Sequence, residues 1–349
     1  MKEIRRTSVD IFYQNKNITA DIAQDLISLT YSEKASGEAD SLAIEVKDSK
    51  KKWMGDWFPE KGDTIMASIV TKNWEKEDRE KRFFCGNFII DEPEFRGRPI
   101  TATIQGLSIP SNEDFMETEH SRTFEMATLK EIGKAIASAN GLKLKYESAF
   151  NPVINFIEQA QKPDAGFLFE VAKRYGMAMK VYRDHIVLYR EMELEAKNPP
   201  QKVDEKTMKP VTLTIDETNI DSSWEARTST AGVYDACEVT YSLPDTEETY
   251  TYTFRAPGRT GNKILRVNET VYSIAEAEII AQSKLREANK YETVLGGNLP
   301  MNLDIMAGIN VIITGFGKFN GKYFIDAVDH SVGQKSTTNF ASHKVLEGY

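Results

Sequence analysis

The side chains best able to do chemistry are few. The chain has four histidines, His120, His185, His330 and His343. His185 falls at a hairpin turn and His120 in an acidic loop, and neither has a second histidine at metal-ligand spacing. His330 follows Asp326 and Asp329 on one strand-like run. Regular alternation puts His330 on the face of Asp326 and opposite Asp329. Cys85 and Cys237 are the two cysteines. Both sit inside strand-like runs without a histidine near them in sequence, which reads as buried structural thiols. There is no Gly-x-Ser-x-Gly elbow.

Two stretches imitate sites. Gly258-Arg259-Thr260-Gly261-Asn262-Lys263 resembles a phosphate loop, but lacks the four-residue gap, the Ser/Thr after lysine and a helix directly behind. A glycine-rich hairpin tip is the simpler reading. The run Glu113-Asp114-Phe115-Met116-Glu117-Thr118-Glu119 could supply the paired carboxylates of a sugar hydrolase, although a solvated linker needs nothing more. No catalytic, cofactor-binding or metal-ligating residue is therefore assigned, and no cofactor is expected.

At 349 residues, two or three domains are expected. The composition, 40% hydrophobic and 28% charged, is that of a globular protein, and the net charge of −9 argues against a large nucleic-acid-binding surface. No run approaches the ~20 apolar residues of a membrane span. The start, Met1 to Arg6, has no apolar core behind it, so folding in the cytoplasm is expected.

Residues 1–110 read as strands: Thr7 to Gln14, Leu26 to Lys34, Leu42 to Val46, Asp63 to Thr71, Arg82 to Asp91 and Ile100 to Ser108. Lys50 to Phe58, with Trp53, Trp57 and Phe58, predicts a short amphipathic turn or helix plugging one side of a barrel. Lys72 to Lys81 predicts a charged hairpin arm, either solvated or gripping a neighbouring subunit. Residues 111–205 change character. Thr128-Leu129-Lys130-Glu131 is a capping box, and Gly141 ends its helix before a strand at Leu142 to Tyr146. A second helix from Pro163-Asp164 ends at Gly176 before a strand at Met177 to Tyr182. A turn at Arg183-Asp184 leads into Ile186 to Tyr189. Asn198 to Pro210 reads as a linker.

In residues 206–349, strands are expected at Val211 to Ile215, Tyr234 to Tyr241 and Glu248 to Arg255. Ser273-Ile274-Ala275-Glu276 opens a helix to about Tyr291, roughly 28 Å long and able to lie across a small barrel. Gly296-Gly297 ends that segment. Gly321-Lys322-Tyr323-Phe324-Ile325-Asp326 then repeats the pattern of Gly86-Asn87-Phe88-Ile89-Ile90-Asp91. Glycine-opened strands precede both, at Gly62 and Gly308, with a helical interruption before each. Alternating runs follow both, Ile100 to Ser108 and Thr337 to Val345. A pattern recurring in order marks a duplicated unit. The fold class is mainly β within α+β: two related barrels flanking a small α+β insert.

The order of these features resembles the phage late control protein D family, the baseplate hubs of contractile tails, and most of all hubs of Gram-positive prophages. The resemblance rests on Thr128 to Ile132 leading to Asn140-Gly141-Leu142, on Phe167 to Gly176, and on Gly321 to His330 with its last strand. It implies tail-tube-like barrels at 1–110 and 206–349 and a homotrimer that presents six barrels to a sixfold tail tube and threefold symmetry to a central spike. Baseplate wedge, tape-measure and LysM-type baseplate proteins are further implied partners, and the tail of a virion or tail-like particle, a bacteriocin among them, the implied location. No fused spike or lysozyme domain is present, so those parts are expected as separate proteins. Two other readings remain: a carbohydrate- or receptor-binding tail-tip module using Trp53, Trp57 or Trp74, and a tail-associated peptidoglycan hydrolase.

Overall fold

The computed structural model describes residues 4–74, 77–108, 113–182, 184–204, 209–242 and 249–349. Pro110, the tip of the charged arm at Glu75-Lys76, Arg183 of the expected turn, positions 205–208 of the expected linker and the 243–248 connection lie outside the described residues.

The first unit contains β1 (Arg6–Tyr13), β2 (Leu26–Lys34), β3 (Ser41–Lys47), β4 (Thr64–Lys72), β5 (Glu80–Arg96) and β6 (Thr101–Leu107). Period-two alternation drives them. Leu42, Ile44 and Val46 are buried on β3 while Ser41, Ala43 and Glu45 turn away. The strands pair in the order β2-β3-β6-β5-β4-β1. Their core joins Ile11, Leu29, Ile44, Ile65, Ile69, Phe88 and Ile90. Lys50 to Phe58 forms turns, without a helix. The buried Asp48 carboxylate accepts from the Trp53 and Met54 N–H groups at 3.0 and 3.1 Å and swings the Trp53 ring into the core.

The middle segment has β7 (Glu119–Thr128), α1 (Leu129–Ala139), β8 (Lys143–Glu147), β9 (Val153–Pro163), α2 (Asp164–Arg174), β10 (Ala178–Tyr182), β11 (His185–Tyr189) and α3 (Glu191–Ala196). Both halves of the capping box form: Thr128 Oγ1 accepts from the Glu131 N–H at 3.2 Å, and Glu131 accepts from the Thr128 N–H at 2.8 Å. Gly141 and Gly176 end their helices at φ +66° and +71°, as their positions require. Leu129, Ile132, Ile136, Leu168 and Val171 pack these helices on the sheet β10-β11-β8. The long pair β7–β9 has no counterpart in the sequence expectations. Polar residues share the half-buried face with Phe124, Ala127, Ile154 and Ile157, so hydrophobic alternation marks these strands only in part.

The last segment has β12 (Gln201–Asp204), β13 (Lys209–Thr212), β14 (Thr214–Asp216), β15 (Trp224–Thr228), β16 (Ala236–Ser242), β17 (Thr249–Arg255), β18 (Ile264–Asn268), α4 (Ile274–Asn289), β19 (Thr293–Pro300), β20 (Asn310–Thr314), β21 (Gly321–Val332) and β22 (Thr337–Lys344). Four expectations change. The linker around Asn198 to Pro210 carries the paired strands β12 and β13. Gly296-Gly297 lies inside β19, because a Cβ at Gly296 would come 2.9 Å from the Phe340 carbonyl and one at Gly297 would come 2.8 Å from the Ile220 side chain. The 258–263 loop is no hairpin tip, since β17 and β18 both pair with β16 instead of with each other. Finally, α4 packs Ala277, Ile280, Ala281 and Leu285 on the β17-β16-β18 sheet. It enters between β15 and β19, while Lys50 to Phe58 lies between β3 and β4, so the two interruptions are not equivalent.

The duplication itself appears in the topology. Six strands of the last segment pair as β15-β19-β22-β21-β20-β14. Numbered within each unit, both orders are second, third, sixth, fifth, fourth, first. One departure is direction: β1 runs antiparallel to β4, whereas β14 runs parallel to β20. Among the described residues no ladder joins β1 to β2 or β14 to β15. Instead β21 pairs with β2, from Ala327 opposite Lys34 to Val332 opposite Leu29, and fuses the two units, with the two-residue strand Lys16–Asn17 beside β1, into one 13-stranded sheet.

Candidate functional site

The repeated hexapeptides occupy equivalent places with equivalent geometry. Gly86 and Gly321 both take left-handed extended backbone, φ +134° and +147°, which side chains other than hydrogen resist. Gly62 donates to the Ile90 carbonyl at 2.9 Å, and Gly308 to the Ile325 carbonyl at 2.8 Å. The Ile90 N–H returns to Asp63 O at 2.8 Å and that of Ile325 to Ile309 O at 2.9 Å. One residue further, each ladder slips. The β5–β6 register shifts between Ile90 and Glu92, and the β21–β22 register between Ile325 and Ala327. Asp91 and Asp326 are thus the extra residues of matching bulges.

That bulge corrects the placement of His330. The extra residue reverses the faces beyond it, so Asp326 turns to the side of Phe324 and His343 while His330 enters the first unit's core. There the His330 ring lies parallel to Tyr31, with centroids 6.3 Å apart, and 5.5 Å from Phe83. Its Nδ1 lies 2.9 Å from Thr338 Oγ1. Burial pushes its pKa down to about 4. Asp326 meets His343, whose Nδ1 is 2.8 Å from Oδ2.

His343 belongs to a buried ionic cluster that the sequence expectations do not include. Its Nε2 is 3.0 Å from Glu195 Oε1, and Glu195 also accepts from Arg286 of α4. Lys290 of α4 reaches Glu191 at 2.8 Å and Asp326 at 3.3 Å. Burial opposes charge on His343, but the hydrogen bonds to Asp326 and Glu195 outweigh it and hold the pKa above its ordinary value. Burial likewise opposes charge on Lys290, and the carboxylates of Glu191 and Asp326 outweigh it. Lys322 donates to the Glu195 carbonyl, and Asn310 to the carbonyls of Leu194 and Lys197 at 2.7 and 2.9 Å. The cluster clamps α3 between α4 and the β20-β21-β22 edge. His343 and Glu195 have no accessible surface for a substrate, at 0% and 1% exposure. Replacing such a buried ion set with well-packed apolar groups is often neutral, whereas removing one partner from it is costly.

Other sequence candidates stay apart. His120 lies 4.0 Å from Asp164, a buried carboxylate that also accepts from Arg122, Asn140 and Gln159 at 2.6, 2.7 and 2.8 Å. His185 pairs with Asp184 at 2.6 Å on the surface. Burial raises the thiols of Cys85 and Cys237 to about 12 and about 11. In the acidic run, Phe115 is buried and Asp114 accepts from Thr118 at 3.0 Å. Trp53 is core, and Trp57 meets it edge to face at 5.6 Å. Trp74 donates to the Arg6 carbonyl at 3.0 Å with Arg5 over its ring, which ties this residue to its own unit. Among the described residues no group of three His, Cys, Asp or Glu side chains could hold a metal ion. No described helix is long and apolar enough to cross a membrane.

Comparison with known proteins gives a consistent picture. No protein-family model matches the chain. It is 32% identical over 176 residues to a probable baseplate hub protein of Escherichia phage P2, covering 49% of this chain and 42% of that protein. A probable baseplate hub protein of Escherichia phage 186 is 30% identical over 171 residues, covering 48% and 41%. The chain therefore spans less than half the length of these relatives. Its fold is similar to that of the 43 kDa tail protein of prophage MuSo2 from Shewanella oneidensis, with a TM-score of 0.71, 10% identity, and 97% and 98% of the two chains covered. A tail protein from Neisseria meningitidis MC58 gives 0.68 at 11% identity over 97% and 98%. Prophage tail protein gp18 from Listeria monocytogenes gives 0.58 at 11% identity over 98% and 95%. The chain is thus similar in sequence, over about half its length, to probable baseplate hub proteins, and in fold, over nearly all of it, to phage tail proteins.

Proposed function

We propose that the chain is the structural hub of a contractile tail baseplate. Three copies would form a ring that adapts a sixfold tail tube to a threefold spike. The observation that carries this reading is the duplicated six-strand unit, with the same strand order and the same bulge after Ile90 and Ile325. A doubled unit turns three chains into six near-equivalent lobes, which is what a symmetry adaptor needs.

Residues 1–110 and 206–349 supply the lobes in this reading, curled into tube-like barrels, and residues 111–205 form the insert between them. Tail tube, central spike and baseplate wedge proteins are the proposed partners, with tape-measure and LysM-type baseplate proteins as further candidates. The role is structural, in keeping with the hub relatives. For the narrower affiliation to hubs of Gram-positive prophages, the Listeria protein shares the fold, as do those from Neisseria and Shewanella, and the sequence relatives come from Escherichia phages.

Deleting the coding sequence from the host that makes the particle tests this. The expected result is loss of assembled tails, and in complemented cells a tagged chain at the distal end of the tube in particle images. Normal tails without the chain would overturn the proposal.

A further inference from the structure

The joint between the two units leaves a matching pair of strand edges unused. Beyond its bulge, β21 pairs with β22 on one side and with β2 on the other. Among the described residues the equivalent stretch of β5, Glu92–Arg96, pairs with β6 alone, because β4 leaves β5 at Ile89. In turn β15 is the equivalent of β2 and, among the described residues, pairs with β19 alone. One unit therefore uses the edge of its second strand and the other that of its fifth. The two left over are the complementary ones, β5 in the first unit and β15 in the second.

We propose that Glu92–Arg96 of one copy pairs antiparallel with Trp224–Thr228 of a neighbouring copy, repeating between chains the joint that β21 and β2 make within one. The internal register fixes the external one. Asp91 corresponds to Asp326 through the bulges, so Phe95 corresponds to His330. The partners of the third strands, Leu42 opposite Gly106 and Leu295 opposite Ser342, make Tyr31 equivalent to Ala226. His330 stands opposite Tyr31, so Phe95 stands opposite Ala226. Glu94 then faces Arg227 and Arg96 faces Glu225, two opposite charges matched on one face of the new ladder. In the isolated chain Arg96 turns back onto Glu94 at 2.8 Å, and Glu225 and Arg227 are exposed on β15. Pro93 brings no N–H and so contributes no backbone donor to the pairing. The contact is head to tail, and an unpaired edge of this length would otherwise invite indiscriminate pairing.

The proposal rests on the hub reading only for the number of copies that close the ring, and the test separates the two. Purified full-length protein carrying Glu94→Cys and Arg227→Cys is oxidised and run under denaturing conditions. Directly opposed residues sit about 4.5–5.5 Å apart, within disulfide reach. The expected result is a covalent oligomer ending at three chains, while Glu94→Cys with Thr228→Cys, which places the thiols on opposite faces, gives none. Glu94→Arg and Arg227→Glu are each expected to lose the oligomer by light scattering at unchanged melting temperature, and their combination to restore it. A wild-type trimer indifferent to both reversals, and not crosslinked by the in-register pair, overturns the edge pairing and leaves the hub reading standing. In-register crosslinks that run on into open filaments support the pairing and contradict the three-copy ring. A protein that stays monomeric with no crosslink at its highest soluble concentration overturns the pairing.

Discussion

Asp91 and Asp326 fill the same place in two copies of one bulge, yet only Asp326 has been drawn into an ionic cluster. Asp91 is exposed, whereas the Asp326 carboxylate holds His343 at 2.8 Å and Lys290 at 3.3 Å. The backbone device is common to both units and the electrostatic lock belongs to one.

Their substitutions should therefore differ. Asp326→Ala leaves a buried imidazole and a largely buried ammonium without their shared partner, and should cost about 2–3 kcal/mol after allowance for partial exposure. Asp91→Ala should stay within about 0.5 kcal/mol of the parent, as exposed changes usually do. Urea unfolding of both variants measures the contrast. Equal losses would mean that the bulge, and not the cluster, sets the cost at Asp326.

Gly86 and Gly321 should respond alike. Each adopts a positive φ that a Cβ penalises, so Gly86→Ala and Gly321→Ala should each destabilise by about 1–3 kcal/mol. Thermal unfolding of the two single variants checks this. An indifferent Gly321→Ala would show that the second copy no longer depends on the left-handed residue.

His330 sets a pH dependence of definite sign. Its folded pKa of about 4 lies below the ordinary 6.5, so the unfolded chain takes up a proton first. Its contribution to stability is intact above pH 6.5 and is lost as pH falls toward 4, by about 3 kcal/mol in all. His330→Phe should lose less stability than the parent between these limits, measured as urea midpoints against pH. Parallel curves for the two proteins would contradict the assignment. His343 has the opposite sign: its raised pKa favours the fold at low pH, and that contribution fades as pH rises past the folded value.

Legibility in the sequence followed burial on one face. The first unit's strands, such as Ser41–Lys47, alternate cleanly because one side meets Ile11 and Phe88 and the other meets water. The capping box at Thr128 and the helix-ending Gly141 and Gly176 were equally readable, being local chemistry. The β7–β9 pair was not, because its buried and half-buried positions mix polar His120, Arg122 and Gln159 with Phe124, Ile154 and Ile157 and so blur the period-two signal. Nor was the β21–β2 joint, which depends on which strand edges meet, a quantity that side-chain pattern does not encode. The repeat of Gly-x-aromatic-x-Ile-Asp pointed to the duplication, but not to the bulge, and hence misplaced His330. Glu195 of the cluster sits in a charged stretch, Glu191-Met192-Glu193-Leu194-Glu195, whose burial only the tertiary fold reveals.

The central claim is that a duplicated unit makes six lobes from three chains. Electron-microscopic top views of the purified full-length protein, with its mass in solution measured on the same sample, test it most directly. The account predicts a mass three times that of the chain and rings of six near-equal lobes with true threefold symmetry. A two-chain particle with a self-complementary interface, or a ring with any other number of lobes, would contradict it.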